Sequence, residues 1–102
     1  MNFKGSLPLL ILHTLTQGPS HGYAIASAIR ELSAGVLNYS EGTLYPTLHS
    51  LEERGLIRPV QETVVEGRPR LRYQITQAGR QAMIRERNEW QRYTEAVSTV
   101  LG

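Results

Sequence analysis

Apolar residues fall at helical spacing in four stretches of the chain and at alternate positions in one. From Ser6 to Gln17 they occupy nearly every side, which predicts a buried helix, with Pro8 near its start where a missing amide hydrogen is tolerated and Gly18-Pro19 to stop it. A second helix is expected from His21 to about Leu32, capped by Ser20, with Ile25, Ala28, Ile29 and Leu32 as its buried stripe. Ser33 to Tyr39, with Gly35 inside it and a strand-like scrap at Val36–Tyr39, connects to a third helix. That helix spans Ser40 to Gly55, with Leu44, Leu48 and Leu51 on one side, Ser40 as its cap and Gly55 as a left-handed stop.

After Gly55 the period shortens. Leu56 to Val65 is β-branched and partly alternating, Glu66-Gly67-Arg68-Pro69 is turn-like, and Arg70 to Ile75 alternates again. A hairpin follows from this, with Pro59 on an edge and with Leu71, Tyr73 and Ile75 on the face opposite Arg70, Arg72 and Gln74. Thr76 then opens the longest helix, Gln77 to about Leu101. The predicted fold class is mainly α (α+β): a winged helix-turn-helix with a two-stranded β wing over residues 1–75, and a long C-terminal dimerisation helix over 76–102.

Composition narrows the function. The 102 residues suit one modest core. With no cysteine or aspartate and three scattered histidines, no metal motif, nucleophile with base and orienter, or Gly-rich phosphate loop is present, so an enzyme is not expected and no cofactor is implied. His13 is expected at the edge of the core. No run approaches the roughly 20 apolar residues of a membrane span, and the expected location is the cytoplasm. Net charge is only +2, yet six arginines lie between Arg54 and Arg80 against Glu62 and Glu66. The basic charge is local, as a nucleic-acid footprint requires.

The third helix carries the candidate chemistry. At about 100° per residue, Gly42, Pro46, His49 and Glu53 point away from the leucines, with Thr43, Tyr45 and Ser50 on the flanks. Small, hydroxylic and aromatic groups replace the spaced Lys and Glu of a merely solvated face, and they can approach and hydrogen-bond a DNA groove. Thr43, Tyr45 and His49 are therefore expected at base edges or phosphates, and Ser40 with the helix N-terminus at a phosphate. Arg68, Arg70 and Arg72 are expected at the flanking backbone or minor groove, where the guanidinium fork suits phosphates better than lysine would; charge that merely protects a strand edge is the other reading. At the second helix, Gly22 can relieve crowding with Tyr23 packed on a neighbour, or the His21-Gly22-Tyr23 turn can face a phosphate.

In the last helix Met83, Trp90 and Val97 fall seven apart, and Ala82, Tyr93, Ala96, Val100 and Leu101 widen the stripe beyond what a three-helix core can cover. A homodimer follows, formed by the same helix of a second chain or by that chain's first helix, since Glu86 interrupts a strict coiled-coil seam.

His21-Gly22-Tyr23, Gly42-Thr43-Leu44-Tyr45-Pro46, Leu51-Glu52-Glu53-Arg54-Gly55-Leu56-Ile57, Gly67-Arg68-Pro69-Arg70 and Tyr73-Gln74-Ile75-Thr76-Gln77-Ala78-Gly79 resemble, in order and spacing, the PadR family of bacterial transcriptional regulators. The resemblance implies a dimeric winged-helix repressor of the short subclass, whose single C-terminal helix makes the dimer. It implies an inverted-repeat operator in double-stranded DNA and, in some members, release by a phenolic or other small aromatic effector. Met83, Trp90, Tyr93 and Val97 are then the expected effector-binding or dimer-interface residues; Trp90 can line an effector cavity or simply fill the dimer core. Members carry a proline at the position of Pro46 and still form the helix. The chain departs from the pattern in the wing, where Leu71, Arg72 and Gln74 stand in place of a basic, an aromatic and a basic residue. The competing function is a winged-helix module that binds protein without sequence-specific DNA binding.

Overall fold

In the computed structural model, residues 3–102 are described. A single 3-10 turn, Phe3–Ser6, leads into α1 (Leu7–Leu15), followed by β1 (Ser20–His21), α2 (Gly22–Leu32), α3 (Glu41–Glu53), β2 (Ile57–Val65), β3 (Arg68–Ile75) and α4 (Gln77–Leu101). The four helices and the hairpin stand where the hydrophobic periodicity puts them.

α1 is the centre of the core. Leu7, Ile11, Leu12 and Leu15 are buried on it, and α2, α3, α4 and β3 all pack against it. Ile25 and Ile29 of α2 and Leu44, Leu48 and Leu51 of α3 close two sides, and Leu56, Ile57, Tyr73 and Ile75 close a third. From α4 only the first turns join, through Ala82 and the partly buried Met83. Beyond them the helix extends away from the body: 25 residues span about 37 Å.

The sheet has three antiparallel strands in the order β1-β3-β2, one more than a bare wing. Ser20 pairs with Tyr73 and His21 with Arg72. Ser20 is thus a strand residue and not the cap of α2. The cap is His21, whose Nδ1 accepts the amide hydrogen of Ala24 at 3.3 Å. β2 is an edge strand, which accommodates Pro59, and the register slips between Pro59 and Gln61.

The hairpin turns more tightly than its sequence suggests. Val65 and Arg68 already pair, so only Glu66 and Gly67 form the loop; their φ values of 52° and 77° give the doubly left-handed turn that matches strand twist. Pro69 belongs to β3, opposite Val64.

Three further expectations are corrected. Leu32 is exposed, because it is the last residue of α2 and stands on the rim of an open hollow shared with His13, Thr14 and Gln17. Val36–Tyr39 forms no strand; Ala34 and Gly35 turn left-handed, and Ser33 Oγ accepts the Leu37 amide hydrogen at 2.9 Å, which curls the segment. Ser40 stands at the N-cap position of α3 without a side-chain cap, donating instead to Thr43 Oγ1 at 3.3 Å.

Candidate nucleic-acid interface

Burial of Leu44, Leu48 and Leu51 fixes how α3 is rolled on the core. Gly42, Pro46, His49 and Glu53 are consequently exposed along the outer face, with Thr43 half-buried on its flank. Pro46 removes the donor that the Gly42 carbonyl would normally receive four residues on, and its ring lies on the solvent side, where no packed neighbour is displaced. The helix ends in a double backbone clasp: Gly55 N–H donates to the Glu52 carbonyl at 2.9 Å and Leu56 N–H to the Leu51 carbonyl at 3.0 Å. Gly55 has φ +73°, as the sequence requires of a left-handed stop.

Tyr45 is placed differently from the rest of that face. Its ring is half-buried against Gly22 at the start of α2, so close that a Cβ on Gly22 would stand 3.0 Å from the ring carbon Cε1. Its hydroxyl accepts from Arg70 Nη1 of β3 at 3.5 Å. Gly22, Tyr45 and His49 on one side and Pro69, Arg70 and Leu71 on the other line a concavity of about 240 Å³ between α3 and the wing. Arg70 also lines a second, more polar concavity of about 390 Å³ with Tyr23, Glu66 and Arg68. Thus Tyr45, His49 and Arg70 converge, and Arg68 and Arg70 converge with Tyr23.

Tyr23 belongs to the His21-Gly22-Tyr23 turn that can face a phosphate, and the structure sets it beside Arg68 and Arg70. It is 58% exposed, its ring stacked on His21 at 6.3 Å.

The other candidates are dispersed. Ser40 and Thr43 lie at the N-terminal end of α3, where Ser40 lines a cleft with Arg30 and Tyr39. Arg72 sits lower on β3 and donates through Nη2 to the Pro19 carbonyl at 3.0 Å, bracing the turn ahead of β1. Arg58 makes a cross-strand bond to Gln74 Oε1 at 2.9 Å. Leu71 is 46% exposed and does not share the burial of Tyr73 and Ile75 on its side of the strand, because it lies towards the wing tip, past the core.

Behind the wing, Tyr73 is buried, and burial first, then the Glu52 carboxylate and the Tyr45 phenol, hold its own phenol above the usual value of 10.0. It stays neutral and serves packing. The same junction anchors α4. Thr76 Oγ1 accepts the Gly79 amide hydrogen at 3.0 Å while donating to the Gly55 carbonyl at 2.7 Å, and Thr76 N–H donates to the Leu56 carbonyl at 3.1 Å. The recognition-helix end, the wing base and the start of α4 are therefore tied at one point.

Along α4 the four expected interface residues separate. Met83 packs on the chain's own core. Trp90 is half-buried over a hollow of about 270 Å³ that includes Ser6, Pro8 and Leu9, near the exposed Arg54–Glu86 ion pair at 3.9 Å. Tyr93 follows, its ring 6.2 Å from Trp90, and it is exposed together with Val97, Val100 and Leu101. No group of three or more potential metal ligands occurs among the described residues, and no described helix is long and apolar enough to cross a membrane.

This architecture is widely shared. A transcriptional regulator from Clostridium thermocellum superposes with a TM-score of 0.84 at 28% identity, covering 93% of this chain and 92% of that one. A PadR family transcription regulator from Clostridium difficile does so with a TM-score of 0.80 at 27% identity, covering 96% and 100%. In sequence the chain is 43% identical over 84 residues to the transcriptional regulator Rv3488 of Mycobacterium tuberculosis, covering 82% of this chain and 75% of that protein. It is 45% identical over 53 residues to the transcriptional regulator YqjI of Escherichia coli, covering 52% of this chain but 26% of the longer protein. The profile of the transcriptional regulator PadR-like family matches residues 11–85, from the middle of α1 into α4, and with the winged-helix fold around it this places the chain in the PadR-like family of transcriptional regulators.

Proposed function

We propose that this protein is a homodimeric repressor that binds an inverted-repeat operator in double-stranded DNA. The observation that carries the reading is the outer face of α3, with exposed His49 and flanking Thr43, standing beside a wing whose Arg68 and Arg70 line open concavities. α3 enters the major groove, with Thr43 and His49 at base edges and Ser40 at a phosphate, to which its hydroxyl turns from Thr43 Oγ1. Arg68 and Arg70 meet the flanking backbone, joined by Arg72 when it turns from the Pro19 carbonyl. Two copies of α3 then reach successive major grooves about 34 Å apart.

The dimer is made by α4, whose exposed Tyr93, Val97, Val100 and Leu101 form an apolar stripe that no other described residue buries. A small aromatic or phenolic effector, seated beside Trp90 and Tyr93, would release the DNA by changing the spacing of the two recognition helices. In the cytoplasm such a protein acts on the promoters of nearby genes, its own included.

The test is an electrophoretic mobility shift on the promoter of the protein's own gene and its neighbours, followed by a salt titration. With three phosphates neutralised per protomer, log affinity falls with log salt at a slope of roughly −5. No shift at low salt, or a flat salt dependence, overturns the reading. For the effector, quenching of Trp90, the only tryptophan, by added phenolic compounds is the expected result; unchanged emission assigns Trp90 to packing.

A further inference from the structure

We propose that Tyr45 is a positioning residue that docks the wing onto the recognition helix, and does not read bases. The DNA-binding part of this inference rests on the function proposed above; the docking itself does not. The position of Tyr45 in α3 is two residues past Thr43 and four before His49, which by helical spacing alone puts it at the edge of the groove-facing surface. Its side chain instead turns inward. The ring lies on the backbone of Gly22, where ring atoms Cε1 and Cζ and the hydroxyl would all fall within 3.0 to 3.2 Å of an added Cβ. Gly22 is buried, and its φ is not in the left-handed region, so no backbone conformation demands glycine at this position. A side chain there would instead crowd the Tyr45 ring.

From this seat the hydroxyl reaches across to β3 and accepts from Arg70. At 3.5 Å this bond is long, and by itself it would hold little. The ring's contact with Gly22 fixes where the oxygen stands, however, and a fixed acceptor adds to the contacts that orient the Arg70 guanidinium. Arg70 borders both the concavity beside His49 and the one beside Tyr23 and Arg68. Three elements, the α2 N-terminus, α3 and the wing, therefore meet on one phenol. Together with the Thr76 junction at the wing base, this contact holds the wing against the recognition helix, on which simultaneous groove and backbone contact depends.

Tyr45→Phe keeps the ring on Gly22 and deletes only the acceptor, so it is the discriminating variant. In free protein, hydrogen exchange of the backbone amides over residues 68–72 is expected to quicken by about threefold or more in Tyr45→Phe, with the α1 amides unchanged. Unchanged exchange in the wing overturns the proposal, whether or not the protein binds DNA. The second measurement selects binders from a randomised 30-base-pair duplex library with wild type, Tyr45→Phe, His49→Ala and the Arg70→Gln, Tyr45→Phe pair. Tyr45→Phe is expected to enrich the wild-type motif with affinity lowered about three- to tenfold for every sequence, the size of one modest hydrogen bond. In the Arg70→Gln background the same change is expected to cost nothing further. His49→Ala serves as the contrast, because a base-contacting residue loses preference at defined positions. A motif that Tyr45→Phe degrades at one position, or full additivity with Arg70→Gln, overturns the proposal. Should wild type enrich no motif and bind no duplex at low salt, the proposed function fails while the exchange experiment still decides the role of Tyr45.

Discussion

Gly79, in the first turn of α4, is the position where one methyl group should do the most damage. An added Cβ would stand 2.1 Å from the Leu56 carbonyl oxygen and 2.8 Å from Ile75 Cγ1. Ordinary carbon–oxygen contact lies near 3.3 Å, so α4 must retreat by about 1 Å. The obstacle is backbone, which cannot rotate aside. That same carbonyl accepts from Thr76 N–H at 3.1 Å, and Thr76 also bonds Gly55, so retreat strains the junction of α3, the wing and α4 together. Overpacking of this kind costs about 1–3 kcal/mol and a disturbed hydrogen bond about 1 more, while the better helix propensity of alanine returns at most about 1. The net expectation for Gly79→Ala is a loss of about 1–3 kcal/mol, or roughly 5–20 °C in Tm for a domain of this size.

Gly42→Ala is the control for the same chemical change. Gly42 lies in the first turn of α3 with nothing nearer than Ser40 Oγ at 3.9 Å, so alanine should stabilise by a few tenths of a kcal/mol, by about the entropy that glycine loses. Both are read by urea and thermal unfolding at one fixed protein concentration, because the proposed dimer would make Tm concentration-dependent. Gly79→Ala as stable as wild type would refute the close approach of α4 to Leu56.

Thr76→Val removes both the cap of α4 and the bond to Gly55, and is expected to lower stability by about 1–2 kcal/mol in urea unfolding, with Thr76→Ser restoring most of it. Because the folded state raises the Tyr73 phenol above 10.0, its contribution is fully present below that pH and is lost as pH rises through the folded value. Urea midpoints of wild type should therefore fall above about pH 10 more steeply than those of Tyr73→Phe. Arg68→Ala should weaken DNA binding across all sequences and make the salt slope shallower by about 2 per dimer, measured by anisotropy over a salt series. Val97→Glu puts a charge into the exposed stripe of α4 and should convert dimer to monomer in sedimentation, leaving far-UV circular dichroism unchanged.

Local rules carry most of this fold. The leucine spacing of α3, the left-handed Gly55, the edge position of Pro59 and the threonine cap of α4 are each settled within a few residues of chain, so each is legible without the rest of the molecule. The candidate site was legible only as a set of residue types. Ser20 looked like a cap because serine before a helix usually is one; pairing with Tyr73, 53 residues away, made it a strand residue and passed the capping to His21. Leu32 fitted the stripe of α2 by period, yet as the last residue of that helix it stands on the rim of an open hollow.

The sequence by itself determined which surfaces would be apolar, where the helices begin and end, and that the basic charge gathers on a hairpin. Only the tertiary structure decided which of the candidate side chains meet. Tyr45 turns to Gly22 and Arg70, Tyr23 joins Arg68, and Arg72 braces Pro19, because each outcome depends on contacts between elements whose packing angle no local pattern encodes. Periodicity fixes the face of a helix; what lies opposite that face is fixed by how the whole core closes.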